Sequence, residues 1–509
     1  MNHFAYTIIN ILAACLISLI AYTIHPYAGI AAAVVCAILI FWYILPLSAG
    51  LSLHQQRKQT KYRKTTTRED RHTVSVDRST GMTISHDGDT ASMFIELTPS
   101  PLETIAYTDD GTGIPNIPLP VIISELHQYD IDVDNINVIS FGYRTADNAP
   151  YSRAYNKVLH GHMGRLRTII EVTIRLSTSL PAVNTRRRED DGPEVGLTRV
   201  TEVATKRLRN KLTDNGWRAR IMSKSELQAF DNEVSPWVGN AFDHEHRTDM
   251  GEGNHWVAMY SNPGLVFNPS KLQTNAKAFG VVRHIRPQAK NQGASIKTYV
   301  ALMGEDKTET VAHKSKLKKM PGVQGDLVSY LLPLAPNPPI NTSSPTVTKQ
   351  HPNDFDVETG PAWGVGALIG ETKEGDRRRV SLTTVSAKGE VLYTATNPKA
   401  VRNILARLAA SGEHIIVESP SEQWKEWVRF MESPRITTKR GQADIVVTEK
   451  EGEIPSRAGI LTVCVGTSIP RSAKYSLQQL PDGSLRSIAR NTYRDITWTA
   501  GKEEQYWLI

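Results

Sequence analysis

The pattern of hydrophobic and polar positions changes abruptly at Arg57 in this 509-residue chain, because no Asp, Glu, Lys or Arg occurs before it. Within that uncharged segment, Phe4 to Ile24 and Ala28 to Leu51 are apolar stretches of 21 and 24 residues, parted by His25-Pro26-Tyr27. About 20 apolar residues carry a helix across a ~30 Å hydrocarbon core. The pattern therefore predicts a transmembrane helical hairpin over residues 1–53. Phe41, Trp42 and Tyr43 would sit at its interface, and Pro46 in the last turns, where a kink is tolerated. Cys15 and Cys36 read as small apolar residues of these helices. The missing basic n-region argues against a cleaved secretory signal.

After the stem the periodicity shortens to two. Val74/Val76 and Met82/Ile84 alternate, Asp87-Gly88 offers a hairpin turn, and Met93-Phe94-Ile95-Glu96-Leu97 follows as a strand. Pro118 opens an expected helix to Tyr129 with Leu119, Ile122, Ile123 and Leu126 on one face. Extended pattern returns from Asp130 to Gly142. From Thr168 to Leu176, Ile170, Val172, Ile174 and Leu176 face one way and Glu171, Thr173 and Arg175 the other. A helix from Val195 to Asn215 carries the stripe Leu197, Val200, Val203, Ala204, Leu208, Leu212. Ser223 and Glu226 have capping-box spacing for the next helix. Strands are expected again at His255–Tyr260, Phe279–Ile285 and Ile296–Leu302.

Pro333 to Pro361 holds seven prolines and reads as a linker. Beyond it, strands at Ala367–Gly370, Arg379–Thr384 and Glu390–Thr396 precede a helix from Pro398 to Ser411. A strand at His414–Glu418, a helix at Ser421–Met431 and strands at Ile445–Val447 and Ile460–Val465 complete the pattern. The expected fold is an N-terminal two-helix transmembrane hairpin followed by α/β cytoplasmic domains. The expected organisation is a hairpin (1–53), a basic juxtamembrane stem (54–72), a first α/β domain (73–332), a Pro-rich linker (333–362), a second α/β domain (363–470) and a C-terminal tail (471–509).

Charge adds orientation. The net charge is +7, and the run His54–His72 alone carries +5 through Arg57, Lys58, Lys61, Arg63, Lys64, Arg68 and Arg71 against Glu69 and Asp70. Basic residues next to a helix end resist translocation, so both termini and the soluble domains of a multi-pass membrane protein are expected in the cytoplasm. Such a stem also suits anionic lipid headgroups. An excess confined to one stem gives no folded nucleic-acid-binding face. Three cysteines exclude a disulfide scaffold.

Candidate chemistry is sparse. Gly364-Val365-Gly366-Ala367-Leu368-Ile369-Gly370 is one residue too long for a dinucleotide loop, and Pro361 and Trp363 precede it instead of a strand. Thr394-Ala395-Thr396-Asn397-Pro398-Lys399 lacks the glycines of a phosphate loop. His244 and His246 flank Glu245 near Asp243 and Asp249, without a spaced second ligand pair. Asp87-Gly88-Asp89 and Asp130-Ile131-Asp132 have the Asp-x-Asp form that holds a divalent metal in sugar-nucleotide transferases, although turn geometry explains the first. Lys314, Lys316, Lys318 and Lys319 form a second basic cluster beside His313. No catalytic, cofactor or metal residue and no small-molecule substrate is expected. The alternative is a membrane-tethered, sugar-nucleotide-dependent glycosyltransferase-like enzyme.

The order of these features resembles the EccE family of the ESX (type VII) secretion machinery. The resemblance lies in the apolar hairpin with its basic stem, in Met93-Phe94-Ile95-Glu96-Leu97-Thr98-Pro99, and in Leu126-His127-Gln128-Tyr129-Asp130-Ile131. It extends to Trp217-Arg218-Ala219-Arg220-Ile221-Met222-Ser223 and to the run from Leu405 through Ile415-Ile416-Val417 to Trp424 and Trp427. It implies an accessory inner-membrane subunit that associates with the EccB, EccC and EccD families and acts by subunit binding, the motor ATPase being another chain. It supplies no catalytic motif.

Overall fold

The computed structural model describes residues 19, 22–44, 72–75, 80–85 and 88–508, apart from 243, 247, 273, 289–292, 308–315, 336–343, 374, 376 and 491.

The structure does not bear out the expected transmembrane hairpin: among the described residues no helix is long and apolar enough to cross a membrane. Helix α1 is Pro26–Ile44, entered through a break at His25 whose carbonyl accepts from the N–H groups of Ala28 and Gly29 at 3.0 and 3.2 Å. Its side chains are described from Pro26 to Ala37. At 1.5 Å per residue its 19 residues cover about 28 Å, marginally under the ~30 Å required. The apolar stretch before it is described only at 19 and 22–24.

The strands, in chain order, begin with β1 His72–Ser75, β2 Gly81–Ile84, β3 Thr90–Leu97, β4 Thr104–Tyr107, β5 His127–Gln128, β6 Ile131–Asp132, β7 Asn135–Tyr143 and β8 Arg165–Arg175. They continue with β9 Ala219–Ile221, β10 Met250–Glu252, β11 His255–Asn262, β12 Ala278–Pro287, β13 Ala294–Gly304, β14 Lys318–Lys319 and β15 Val347–Lys349. The helices among them are α2 Leu119–Ile123, α3 Pro150–Val158, α4 Leu180–Arg186, α5 Pro193–Asp214, α6 Lys224–Val238 and α7 Gln324–Ser329.

The first sheet runs β1-β2-β3-β8-β7-β12-β13-β11-β10, with β9 beside β3, β14 beside β11 and β15 beside β13. Its pairings are antiparallel. The two-residue period of β8 sends Ile170, Val172 and Ile174 to one face, where Leu197, Val200, Ala204, Leu208 and Leu212 of α5 cover them. The opposite face places Phe94, Ile139, Phe141 and Ile169 against Leu227, Phe230, Val234 and Val238 of α6. Each such side chain stabilises the fold by roughly 1.5–3 kcal/mol through apolar burial. Glu171 and Thr173 do face away from the apolar row, yet they too are buried. Burial demands partners for them: Asn137 Nδ2 donates to Glu171 at 2.7 Å, and the Thr173 and Ser92 hydroxyls are 2.9 Å apart.

The helix expected from Pro118 to Tyr129 is only five residues long, α2, followed by the two-strand ribbon β5–β6. Leu119, Ile122, Ile123 and Leu126 are all buried, as their spacing requires. The chain turns early because Leu126 spends its carbonyl on the N–H of Val133 at 3.2 Å, which closes the ribbon.

The second half of the chain supplies β16 Ala367–Thr372, β17 Arg379–Leu382, β18 Val391–Ala395, β19 Ile415–Glu418, β20 Ile436–Thr437, β21 Ile445–Glu449, β22 Leu461–Val465, β23 Tyr475–Gln479, β24 Leu485–Ala489 and β25 Thr492–Trp498, with helices α8 Pro398–Ala410 and α9 Glu422–Met431. The second sheet runs β20-β19-β21-β22-β18-β23-β24-β25-β16-β17-β4. The pairings from β20 to β23 are parallel, with α8 and α9 as crossovers; the rest are antiparallel. Two memberships are long-range. Strand β4 comes from the N-terminal half yet pairs with β17, and residues 475–498 add three strands.

Candidate functional site

The two sheets meet at the start of β8. Gly364 and Val365 donate their N–H groups to the carbonyls of Leu166 and Met163 at 3.1 and 2.9 Å, and Gly366 donates to Gly164 at 2.8 Å. A Cβ on Gly364 would lie 2.6 Å from the Leu166 nitrogen. Gly366 has φ +69° and the Leu382 carbonyl 2.2 Å from its Cβ position. These glycines serve close approach of two backbones and a left-handed turn. Their N–H groups are spent within the chain, so the run is a seam and no nucleotide cradle.

Beside this seam runs a chain of charged side chains that starts on a strand alternation. Arg165 and Arg167, two apart on β8, point to the α6 face. Arg165 bonds Glu233 of α6 and, at 3.1 Å, Glu413 just before β19. Arg167 bonds the other Glu233 oxygen at 2.8 Å and Glu96 of β3 at 2.7 Å, its guanidinium 5.0 Å from the Phe230 ring centre. Arg220 of β9 takes the second Glu96 oxygen at 2.8 Å and also pairs with Glu226. Glu226 closes the capping box expected at Ser223: Ser223 N–H reaches its carboxylate at 2.8 Å, and Ser223 Oγ accepts from Glu226 N–H at 3.3 Å.

Burial would raise the carboxyl of Glu233, but Arg165 and Arg167 outweigh it and hold the group below its usual range. Glu413 goes the other way. Burial raises its carboxyl, and Arg165, which also serves Glu233, opposes this only in part. Burial would lower the Arg165 guanidinium, yet Glu233 and its other anionic neighbours raise it overall. Arg165, Glu413, Thr384 and Ser411 line a small cavity with the seam glycines. It leaves room for about one water molecule. Chemically this is a brace: each carboxylate is paired with an arginine across an element boundary, Glu233 fully and Glu413 only in part.

The other candidates from the sequence fall elsewhere. Asp89 is 2.7 Å from Arg175, and Asp87 lies outside the described residues. Asp130 pairs with Arg186 at 2.6 Å, and Asp132 faces His127 at 3.5 Å. His244 pairs with Glu252 at 2.8 Å, His246 stacks on Trp256, and Glu245 accepts from Gly325 N–H. Asp243 is not described. Among the described residues no group of three or more His, Cys, Asp or Glu could hold a metal. Asn397 Oδ1 caps α8 by accepting from Lys399 N–H at 2.9 Å, which occupies the turn a phosphate loop would use. Lys316, Lys318 and Lys319 are exposed; His313 and Lys314 lie outside the described residues, as do Arg57, Lys58, Lys61, Arg63, Lys64, Arg68 and Arg71 of the stem.

Sequence reasoning passed over Glu96, Arg165, Arg167, Glu233 and Glu413. The signal was available for two elements. Glu96 is embedded in the apolar run Met93–Leu97, and Arg165-Leu166-Arg167 puts two cations on one strand face. A charge at an inward position requires a partner.

Residues 163–261, which start at this seam and take in β8, α5, β9 and α6, match the EccE family model, described for the type VII ESX secretion system translocon. The ESX-2 secretion system protein EccE2 of Mycobacterium tuberculosis is 20% identical over 410 residues, covering 75% of this chain and 71% of that protein.

Proposed function

We propose that this chain, which matches the EccE family model over residues 163–261, is a component of the type VII secretion machinery and serves there as a non-catalytic subunit that works by binding. The supporting observation is the arginine–carboxylate chain Glu413–Arg165–Glu233–Arg167–Glu96–Arg220. It locks both sheets into one rigid scaffold and uses its acids as structural anions. A scaffold of this kind presents fixed surfaces to neighbours at little ordering cost.

The partners are subunits of the EccB, EccC and EccD families at the periphery of a membrane-associated complex. The stem residues Arg57, Lys58, Lys61, Arg63, Lys64, Arg68 and Arg71 add contact with anionic lipid headgroups. No part of this reading uses two membrane spans.

The test is extraction of the tagged full-length chain in mild detergent. Recovery of EccB-, EccC- and EccD-family subunits at fixed ratio is expected; recovery of the chain alone overturns the proposal. A thermal-shift screen with UDP- and GDP-sugars and manganese tests the enzymatic alternative, and no shift is expected.

A further inference from the structure

The ribbon β5–β6 pairs His127 with Asp132 and Gln128 with Ile131, which leaves Tyr129 and Asp130 as its two-residue turn. Tyr129 has φ +51°. The first loop position of such a turn normally takes glycine, asparagine or aspartate when φ is positive, because a larger side chain there is strained. The Tyr129 side chain is also fully exposed, at 101% of its reference area. The residue therefore costs the fold backbone strain and returns no apolar burial. Strain of this kind persists where the surroundings over-determine it, and it gathers at functional positions.

The surroundings do hold it. Gln128 Nε2 donates to the carbonyls of Glu125 and Ala204 at 3.0 and 3.1 Å, which ties the ribbon to α5. Asp130 pairs with Arg186 of α4 at 2.6 Å, and Arg207 of α5 donates to the Gln128 carbonyl at 3.3 Å. Leu126 and Ile131 anchor the ribbon in the core. The Arg207 guanidinium lies 5.5 Å from the Tyr129 ring centre, while its nearest carboxylate, Asp130, is 3.7 Å away and already committed to Arg186. A rigid, outward tyrosine next to an incompletely neutralised arginine is the composition of an interface anchor.

We propose that Tyr129, with Arg207 beside it, is the anchor by which this chain docks a non-identical subunit of its complex, in an apolar recess rimmed by a carboxylate. This rests on the subunit-binding reading and names the surface it uses. Arg207 selects an acidic rim by charge, and the braced ribbon presents the ring without an ordering cost on binding.

The test uses the full chain, co-produced with the secretion subunits and purified in mild detergent. Tyr129→Gly is expected to lower subunit capture at least tenfold while the melting temperature of the isolated chain stays the same or rises, since glycine relieves the turn. Tyr129→Phe, which keeps the ring, is expected to retain capture. With p-benzoylphenylalanine at position 129, photo-crosslinking is expected to join this chain to a different subunit. Equal capture by the wild type and Tyr129→Gly, or crosslinks only to a second copy of this chain, overturns the surface and leaves the subunit reading intact. A wild-type chain that captures no subunit overturns both.

Discussion

Arg407 of α8 and Glu504, six residues past the last strand, form an ion pair in which both side chains are almost completely buried, at 1% and 2% exposure. Arg407 Nε donates to Glu504 at 2.8 Å, and its remaining nitrogens reach the carbonyls of Leu368 and Thr499. The guanidinium thus pins the C-terminal segment to the second sheet. Removing one partner strands a buried charge, which costs about 3–5 kcal/mol, whereas apolar replacement of both partners is often close to neutral. Glu504→Ala should therefore be strongly destabilising and the double variant Arg407→Met/Glu504→Leu far less so, as read by urea denaturation. Similar losses in both would show that packing, not charge, dominates.

Gly366 tests the seam. With φ +69° and the Leu382 carbonyl 2.2 Å from its Cβ position, Gly366→Ala demands both a strained backbone and a displaced strand. A loss of about 2 kcal/mol or more is expected, seen as a melting-temperature drop of several degrees. Gly389, with positive φ and open space, provides the comparison, and Gly389→Ala should cost less.

Acid should loosen the brace through Glu233. Its carboxyl is lowered on folding, so its stabilisation is present above the unfolded value near 4.5 and is lost as pH falls through the lower folded value. Denaturant midpoints from pH 7 to pH 3 should fall in this acid window for the wild type, and the slope should be shallower in Glu233→Gln. Glu413 has the opposite sign. Its raised carboxyl favours the folded state at low pH and loses that contribution as pH rises through the folded value. Glu413→Gln should therefore not share the acid sensitivity that Glu233 confers.

The basic stem predicts a salt-dependent surface affinity. Neutralising Arg57, Lys58, Lys61, Arg63 and Lys64 together should weaken binding of the full chain to phosphatidylserine vesicles by several kcal/mol, at about 1 kcal/mol per charge. Sedimentation at low and at 0.5 M salt measures it. Binding that ignores both salt and the five substitutions would remove lipid from the partners of this segment.

Local order was legible in the amino-acid sequence because it depends on neighbours. The two-residue period of Ile170, Val172 and Ile174, the stripe from Leu197 to Leu212 and the Ser223–Glu226 box are set by strand pleat, helix pitch and unpaired terminal N–H groups, all read within a few positions. The apolar face Leu119–Leu126 was equally visible, although its period could not say that the chain would leave the helix at Ile123 and fold back as a ribbon. Apolar run length at the N-terminus suggested two membrane spans, which no described helix is long and apolar enough to make.

Tertiary structure alone decided what those elements meet. Glu96, Arg165, Glu233 and Glu413 lie on four separate stretches of chain; the packing of β3, β8 and α6 joins the first three through Arg167, and the meeting of the two sheets adds Glu413. Strand β4 looks like any short alternating segment until it completes the second sheet beside β17, and residues 475–498 acquire their role only when β25 finds β16. Tyr129 reads as the end of a helix until the backbone places it in the ribbon turn with its side chain exposed. Pairing across hundreds of residues is settled by loop closure, shape and charge complementarity in the folded state, and no local period encodes it.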